Sequence, residues 1–282
     1  MYKSGLVLEG GGIRAIYSSG VLDAFMEKDI HFPYVIGVSA GSCNGVSFLG
    51  KNIHRMRNIT LEYSDDKRYK SVKSFIKNGE YLNSKWIFGE LAYDIYPLNH
   101  DVFETSNSVM CTVVTNAKTG KAEYFYPKSF RDGCEVLRAS CAMPLVSQPV
   151  ILGKDHYYDG GISDSIPLNK AFDDGCEKCV VILTQDKSYV KQPMAHSKAI
   201  SRLLKKYPLT AQGLLNRHIM YNAQRQYVFE QEKLGNAIVI CPDKPLNCST
   251  LNVSKQQQRD IYSIGYKQGQ QYADKVKEFI KY

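Results

Sequence analysis

The sequence predicts one α/β domain, a mostly parallel central sheet flanked by helices. Three observations carry that expectation. Two strand–loop–helix units follow one another at the N-terminus: residues 5–8 lead into a helix from Ile16, and Tyr34-Val35-Ile36 leads into a run over 42–49 that can be helical. Val180-Val181-Ile182-Leu183 is a continuous apolar run rich in β-branched residues, as expected of a strand buried on both faces. No low-complexity linker or internal repeat divides the 282 residues, a length that one large domain can fill.

The stretch around which the chain is organised is Gly37-Val38-Ser39-Ala40-Gly41. A serine between two glycines at a strand-to-helix turn is the nucleophile-elbow pattern. The turn is tight enough to demand small flanking residues, and it lifts the hydroxyl above the sheet edge. The following helix aims free N–H groups and its positive dipole end at the place where negative charge would develop. A plain tight turn is the competing reading.

In the first unit, Ile16, Val21, Leu22 and Phe25 recur at near-helical spacing and predict a helix to about Lys28. The loop before it, Glu9-Gly10-Gly11-Gly12-Ile13-Arg14-Ala15, leaves backbone N–H groups free and suits anions. Gly10, Gly12 and Ala15 satisfy a dinucleotide fingerprint. That reading also needs an acidic residue ending the next strand, which here ends in Gly37-Val38-Ser39. A Walker pattern is absent, because Ala122 follows Gly120-Lys121. An oxyanion hole is the other reading: with the two strands adjacent and parallel, one turn offers N–H donors and its neighbour an exposed hydroxyl.

Residues 51–108 are polar, basic and aromatic, and Met56, Ile59, Leu61, Tyr63, Trp86, Ile87, Phe88 and Leu91 suggest short helices over the sheet edge. They would form either a helical cover or a lid and channel wall. Further on, the pattern predicts a strand over 109–114, a hairpin return over 121–126, a helix over 131–142 stopped near Pro144, and a hairpin of 150–152 with 156–158. A helix from Pro167 to about Asp174 follows, then largely helical chain over 196–235 and 256–281 with one strand over 237–240.

Composition narrows the function. Apolar content of 44% with 23% charged residues is that of an ordinary globular chain rather than a disordered one. The net charge of +8 comes without a dense Lys/Arg block carrying interleaved aromatics, so nucleic acid is excluded as a partner, while peripheral contact with anionic membranes stays open. No apolar run is long enough to span a bilayer. The N-terminus has too short an apolar region for a secretory signal, and a cytoplasmic location is expected. Eight cysteines without an export signal are expected as free thiols, and Cys176 with Cys179 lacks the second pair a zinc site needs. Oligomeric state leaves no mark in the sequence.

A nucleophilic serine needs a base. His54, His100, His156, His196 and His218 all follow Ser39, but none sits in a convincing catalytic loop, and His156 lies inside a strand-like segment. Only one clear strand precedes the elbow, which argues against the α/β-hydrolase layout. Asp159, at a strand end before Gly160-Gly161, is the better candidate, held where bulky neighbours cannot block approach. An Asx-type turn is its competing reading, and Asp186 is a rival acid.

In this order the features resemble the patatin-like phospholipases: Gly10-Gly11-Gly12-Ile13-Arg14, then Gly37 to Gly41, then Asp159-Gly160-Gly161. Arg138-Ala139-Ser140, with Ala142 and Pro144, also looks like that family's segment upstream of its aspartate. The resemblance covers roughly residues 5–171; Ala15 departs from the family's usual glycine, and nothing in the C-terminal third is diagnostic. It implies a patatin-like α/β fold and a Ser39–Asp159 dyad cleaving lipid esters, with main-chain N–H groups around Gly11 to Ile13 as oxyanion donors. Arg14 would hold the loop or bind a lipid phosphate, a surface salt bridge being its competing reading. No metal or cofactor is implied, and calcium independence is expected. The alternative function is a nucleotide- or anion-binding module that uses the Gly10–Gly12 loop without covalent chemistry.

Overall fold

The computed structural model describes residues 1–248 and 253–281. β1 (Tyr2–Leu8) enters a 3-10 turn (Gly12–Ala15) and then α1 (Ile16–Glu27); β2 (Tyr34–Val38) enters α2 (Ala40–Leu49). Four short helices follow, α3 (Arg55–Tyr63), α4 (Val72–Asn78), α5 (Ser84–Ile87) and α6 (His100–Thr105), with a π turn (Leu91–Ile95) before the last. Next come β3 (Val109–Asn116), β4 (Ala122–Phe125), α7 (Glu135–Ser140), β5 (Val150–Leu152) and β6 (Asp155–Asp159). The chain continues through α8 (Leu168–Asp173), β7 (Cys176–Ile182), α9 (Ser197–Leu203), α10 (Pro208–Lys233), β8 (Ala237–Ile240) and α11 (Lys255–Ile280).

The strands form one sheet in the order β5-β6-β3-β2-β1-β7-β8, with β4 on the far edge of β3. From β3 to β8 every neighbour is parallel, while β4, β5 and β6 pair antiparallel. Side chains sort by strand alternation into two cores. Leu6, Leu8, Val35, Val180 and Ile182 pack under α1, α2 and α11. Val7, Ile36, Val38, Val181 and Leu183 pack against α8 and α10. Both faces being covered explains why the central strands read as continuous apolar runs.

The C-terminal third is part of the same body. β8 extends the sheet beside β7. α11, opened by a Ser254–Gln257 capping box, crosses α1 at backbone contact, where a Cβ on Gly265 would sit 2.0 Å from the Tyr17 carbonyl. A larger residue at that crossing would push the two helices apart.

One detail of register positions the site. Thr112 pairs with Gly37 of β2 on one edge and with Phe125 of β4 on the other; Thr115 pairs with Tyr158 of β6 and with Ala122 of β4. β2 and β6 therefore share the edge of β3 opposite β4. β2 occupies it as far as Val113 and β6 from Val114, so the ends of the two strands meet head-on over one peptide.

Several expectations shift at their boundaries. β1, β3 and β7 run longer than predicted. The helix expected over 131–142 shrinks to α7, because Gly133 at φ 144° turns the chain just before it. Among the described residues no helix is long and apolar enough to cross a membrane.

Candidate active site

Ser39 stands between the last residue of β2 and the first of α2, with φ 54° and ψ −127°. A non-glycine residue in that region is strained and persists only where its surroundings over-determine it. Here they do. A Cβ on Gly37 would lie 2.7 Å from the Gly41 carbonyl carbon, and one on Gly41 would lie 2.5 Å from the Leu8 carbonyl. The two glycines let β2 fold back onto α2 and let α2 press against the end of β1. The Ser39 N–H donates to Ser140 Oγ at 2.8 Å, and Ser140 Oγ donates to the Val113 carbonyl at 2.7 Å. That carbonyl lies at the meeting point of β2 and β6.

Asp159 ends β6 and is buried, and its Oδ1 accepts the Gly161 N–H at 2.8 Å. Burial raises its carboxyl above the ordinary value; the Ser39 hydroxyl, the Arg217 charge and the Gly161 N–H pull part of that back. The Asx-type turn and the base candidate are thus the same residue. Arg217, on α10, donates through Nε to the Gly161 carbonyl and to Ser165 Oγ, which braces the loop after Asp159.

The glycine loop lies beside the elbow because β1 and β2 are parallel neighbours. Glu9 anchors it: the buried carboxylate accepts the Thr184 N–H and the Tyr221 hydroxyl, both at 2.6 Å. Among the described residues the N–H groups of Gly10, Gly11 and Gly12 have no acceptor, whereas the Arg14 N–H closes the 3-10 turn onto the Gly11 carbonyl. Ile13 is buried and lines an apolar pocket with Ser39 and Ala40.

Two cavities reach Ser39. The apolar one passes Val46, Ile59, Ile87, Phe88 and Leu91, so the 51–108 segment forms its wall. The other is of mixed character and holds Ser39 and Asp159 together with Glu9, Arg14, Lys191, Arg217 and Tyr221. The other acid–base candidates lie apart. His156 bonds the Tyr207 hydroxyl at 2.8 Å, His54 bonds Asp23, and no histidine bonds Ser39 or Asp159 among the described residues. Asp186 is occupied by Ser188 in its own turn. Cys176 and Cys179 pack around Gly5, and no cluster of three or more metal-ligating side chains occurs among the described residues.

A family model for patatin-like phospholipases matches residues 6–172. The chain belongs to the patatin-like phospholipase family. A second model, for a domain of unknown function (DUF6363), matches residues 207–281, the part that supplies α10, β8 and α11. The chain is 29% identical over 269 residues to the uncharacterized protein YjjU of Escherichia coli (strain K12), covering 92% of this chain and 74% of that one. A probable lipid hydrolase, 463L of Invertebrate iridescent virus 6, is 24% identical over 187 residues, 60% of this chain and 63% of its own. The crystal structure of VipD from Legionella pneumophila shares the fold with a TM-score of 0.53 at 15% identity, over 97% of this chain and 67% of that one. Membership of this family points to lipid hydrolase activity and so to lipid substrates.

Ser140, Lys191, Arg217 and Tyr221 carry no role that the sequence alone assigns. For Ser140 the signal was its place in the segment before the aspartate. Arg217 and Tyr221 share a face of α10 by their i, i+4 spacing, which is legible only once the helix is known to cross the sheet end. Lys191 left no signal.

Proposed function

We propose that this protein is a serine acyl hydrolase that cleaves ester bonds of phospholipids or related lipids. The observation that carries this reading is the head-on meeting of β2 and β6 on β3, which delivers the strained Ser39 and the buried Asp159 to one cavity. Asp159 removes the Ser39 proton as Oγ attacks the ester carbonyl. A carboxylate with a raised pKa is a better base for this than an exposed one. The free N–H groups of the glycine loop are suited to hold the oxyanion. Collapse expels the alcohol, which takes the proton from Asp159, and leaves an acyl-serine. Water then attacks with Asp159 again as base, and on collapse Asp159 returns that proton to Ser39 Oγ as the fatty acid leaves. The acyl chain lies in the apolar pocket.

Contact with a membrane fits α4, where Val72 (64% exposed), Phe75 (40%) and Ile76 (80%) share one face with Lys73 and Lys77 alongside. The decisive experiment is fluorophosphonate labelling read by intact mass. Wild type takes one label, Ser39→Ala takes none, and Asp159→Asn labels about 10²–10⁴-fold more slowly. Label persisting on Ser39→Ala removes Ser39 as nucleophile. No label on wild type, together with tight nucleotide binding, favours the anion-binding alternative.

A further inference from the structure

All eight cysteines are free thiols, and two of them meet beside the nucleophile. Cys43 lies one turn into α2 from Ser39, its N–H donating to the Ser39 carbonyl at 3.4 Å. Cys141 directly follows Ser140, whose hydroxyl accepts the Ser39 N–H. The packing of α2 against α7 brings the two sulfurs to 3.8 Å. A disulfide is about 2.05 Å long, so side-chain rotation has less than about 2 Å to close. Both residues are half-buried and line the apolar pocket together with Ser39 and Arg55.

The two thiols are chemically unequal. A hydrogen bond from Cys141 first, and then the Arg55 charge, hold the Cys43 thiol below its ordinary value against burial. Arg55 is itself fixed by the Tyr96 carbonyl at 2.7 Å and Ser47 Oγ at 2.9 Å. The bond to Cys43 and burial push Cys141 well up, and the Ser39 hydroxyl tempers that rise. Thiolate character therefore gathers on Cys43, with Cys141 placed to resolve what forms there. Cys134 shares the pocket, but burial raises it and it is engaged by the Tyr93 hydroxyl at 3.3 Å. Cys111, Cys176, Cys179 and Cys241 are buried.

We propose that Cys43 and Cys141 form a modification site: a peroxide oxidises them to a disulfide in the pocket wall, and the bridge slows acylation of Ser39. With hydrogen peroxide, the Cys43 thiolate attacks one oxygen; an S–O bond forms, the O–O bond breaks, and the expelled hydroxide takes the proton that Cys43 had released. Cys141 then attacks the sulfenic sulfur and gives up its proton. The S–S bond forms, the S–O bond breaks, and the second hydroxide leaves with that proton as water. Two thiols and one peroxide become one disulfide and two waters, the sulfurs oxidised and the peroxide oxygens reduced. Drawing Cys141 toward α2 shifts Ser140 and with it the bond that fixes the Ser39 N–H. A nucleophile displaced by a fraction of an ångström reacts about tenfold or more slowly. The slowing, though not the bridge, rests on Ser39 as the nucleophile.

The test adds hydrogen peroxide to the reduced protein, maps its peptides without reduction, and times fluorophosphonate labelling of each protein against its own reduced form. The expectation is a peptide joining Cys43 to Cys141, labelling slowed by about tenfold or more, and recovery with dithiothreitol. Cys141→Ser stops at a sulfenic acid on Cys43, which dimedone captures. Cys43→Ser forms no bridge, and peroxide leaves its labelling rate unchanged. Three results overturn the proposal: no peptide joining Cys43 to Cys141, slowing of Cys43→Ser as great as that of wild type, or a bridged protein that labels as fast as its reduced form. A reduced wild type that takes no label defeats the hydrolase reading instead, and the peptide map alone then decides the bridge.

Discussion

Ser140→Ala is the substitution whose effect the structure specifies most fully. Ser140 is completely buried, and its hydroxyl accepts from Ser39 N and donates to the Val113 carbonyl. Alanine leaves the Ser39 N–H without a partner in a buried site, which costs about 1–3 kcal/mol; the Val113 carbonyl loses one acceptor interaction, about 0.5–1 kcal/mol more. For a chain of this size the total of about 2–4 kcal/mol lowers Tm by roughly 4–10 °C. Stability is only half of the expectation. The Ser39 backbone stands at φ 54°, a conformation of the kind that costs about 1–3 kcal/mol and is retained only by surrounding constraints. Releasing one of them lets Ser39 relax away from attack geometry, and fluorophosphonate labelling slows by about tenfold at temperatures where both proteins are folded. The pH dependence of labelling stays where it was, because Asp159 is untouched. Thermal melting and labelling rate, measured side by side, check both parts. A variant that melts lower yet labels at the wild-type rate would show that Ser140 supports the fold without positioning the nucleophile. One that melts and labels as wild type would refute the reasoning altogether.

Asp159→Asn should lose activity and gain stability. Burial raises the carboxyl's pKa in the fold, so the charged form is disfavoured there and costs stability as pH rises through that pKa. The amide removes this cost, so the variant melts higher than wild type at neutral pH and the difference disappears in acid; a lower Tm at neutral pH would contradict the assignment. The same shift sets the acid limb of kcat/KM: activity falls as Asp159 protonates, at a pH above the ordinary carboxylate value, and a limb at or below that value would remove Asp159 as the base. Gly41→Ala places a Cβ 2.5 Å from the Leu8 carbonyl and 2.7 Å from that of Glu9, both backbone atoms. It should cost about 2–3 kcal/mol, lowering Tm by about 5 °C or more, and separate the glycine loop from Ser39, which labelling reads directly. Ile76→Glu on α4 should weaken sedimentation with anionic liposomes by about tenfold while hydrolysis of a monomeric ester is unaffected; unchanged sedimentation would remove α4 as the membrane contact.

The parts of the site that were legible in the sequence are those made by neighbouring residues. A glycine two positions on either side of Ser39 follows from the geometry of one tight turn, and the glycine loop from a strand giving way to a helix. Asp159 was legible as a carboxylate ending a strand before two glycines, a pattern that an Asx-type turn also produces and that Asp159 does form with the Gly161 N–H. The C-terminal third was opaque: β8 and α11 were visible as elements, but their amphipathic patterns say nothing about which sheet edge or which helix they meet. The helix expected over 131–142 starts only at Glu135, because Asp132-Gly133 is a turn pair of poor helix propensity and Gly133 stands at φ 144°.

What the sequence determined by itself is therefore the set of chemical groups and the local turns that expose them, since covalent spacing and backbone sterics act over a few residues. The tertiary structure decided how these groups meet. Val113 and Val114 hand one sheet edge from β2 to β6, and this register brings together Ser39 and Asp159, 120 positions apart in the chain. The same packing sets Ser140 under the elbow, lines an apolar pocket with residues of α3, α5 and the π turn, and carries Lys191 and Arg217 to the second cavity that Ser39 lines. Those contacts depend on which surfaces of helices and strands bury each other, a choice made by the whole core rather than by any one segment.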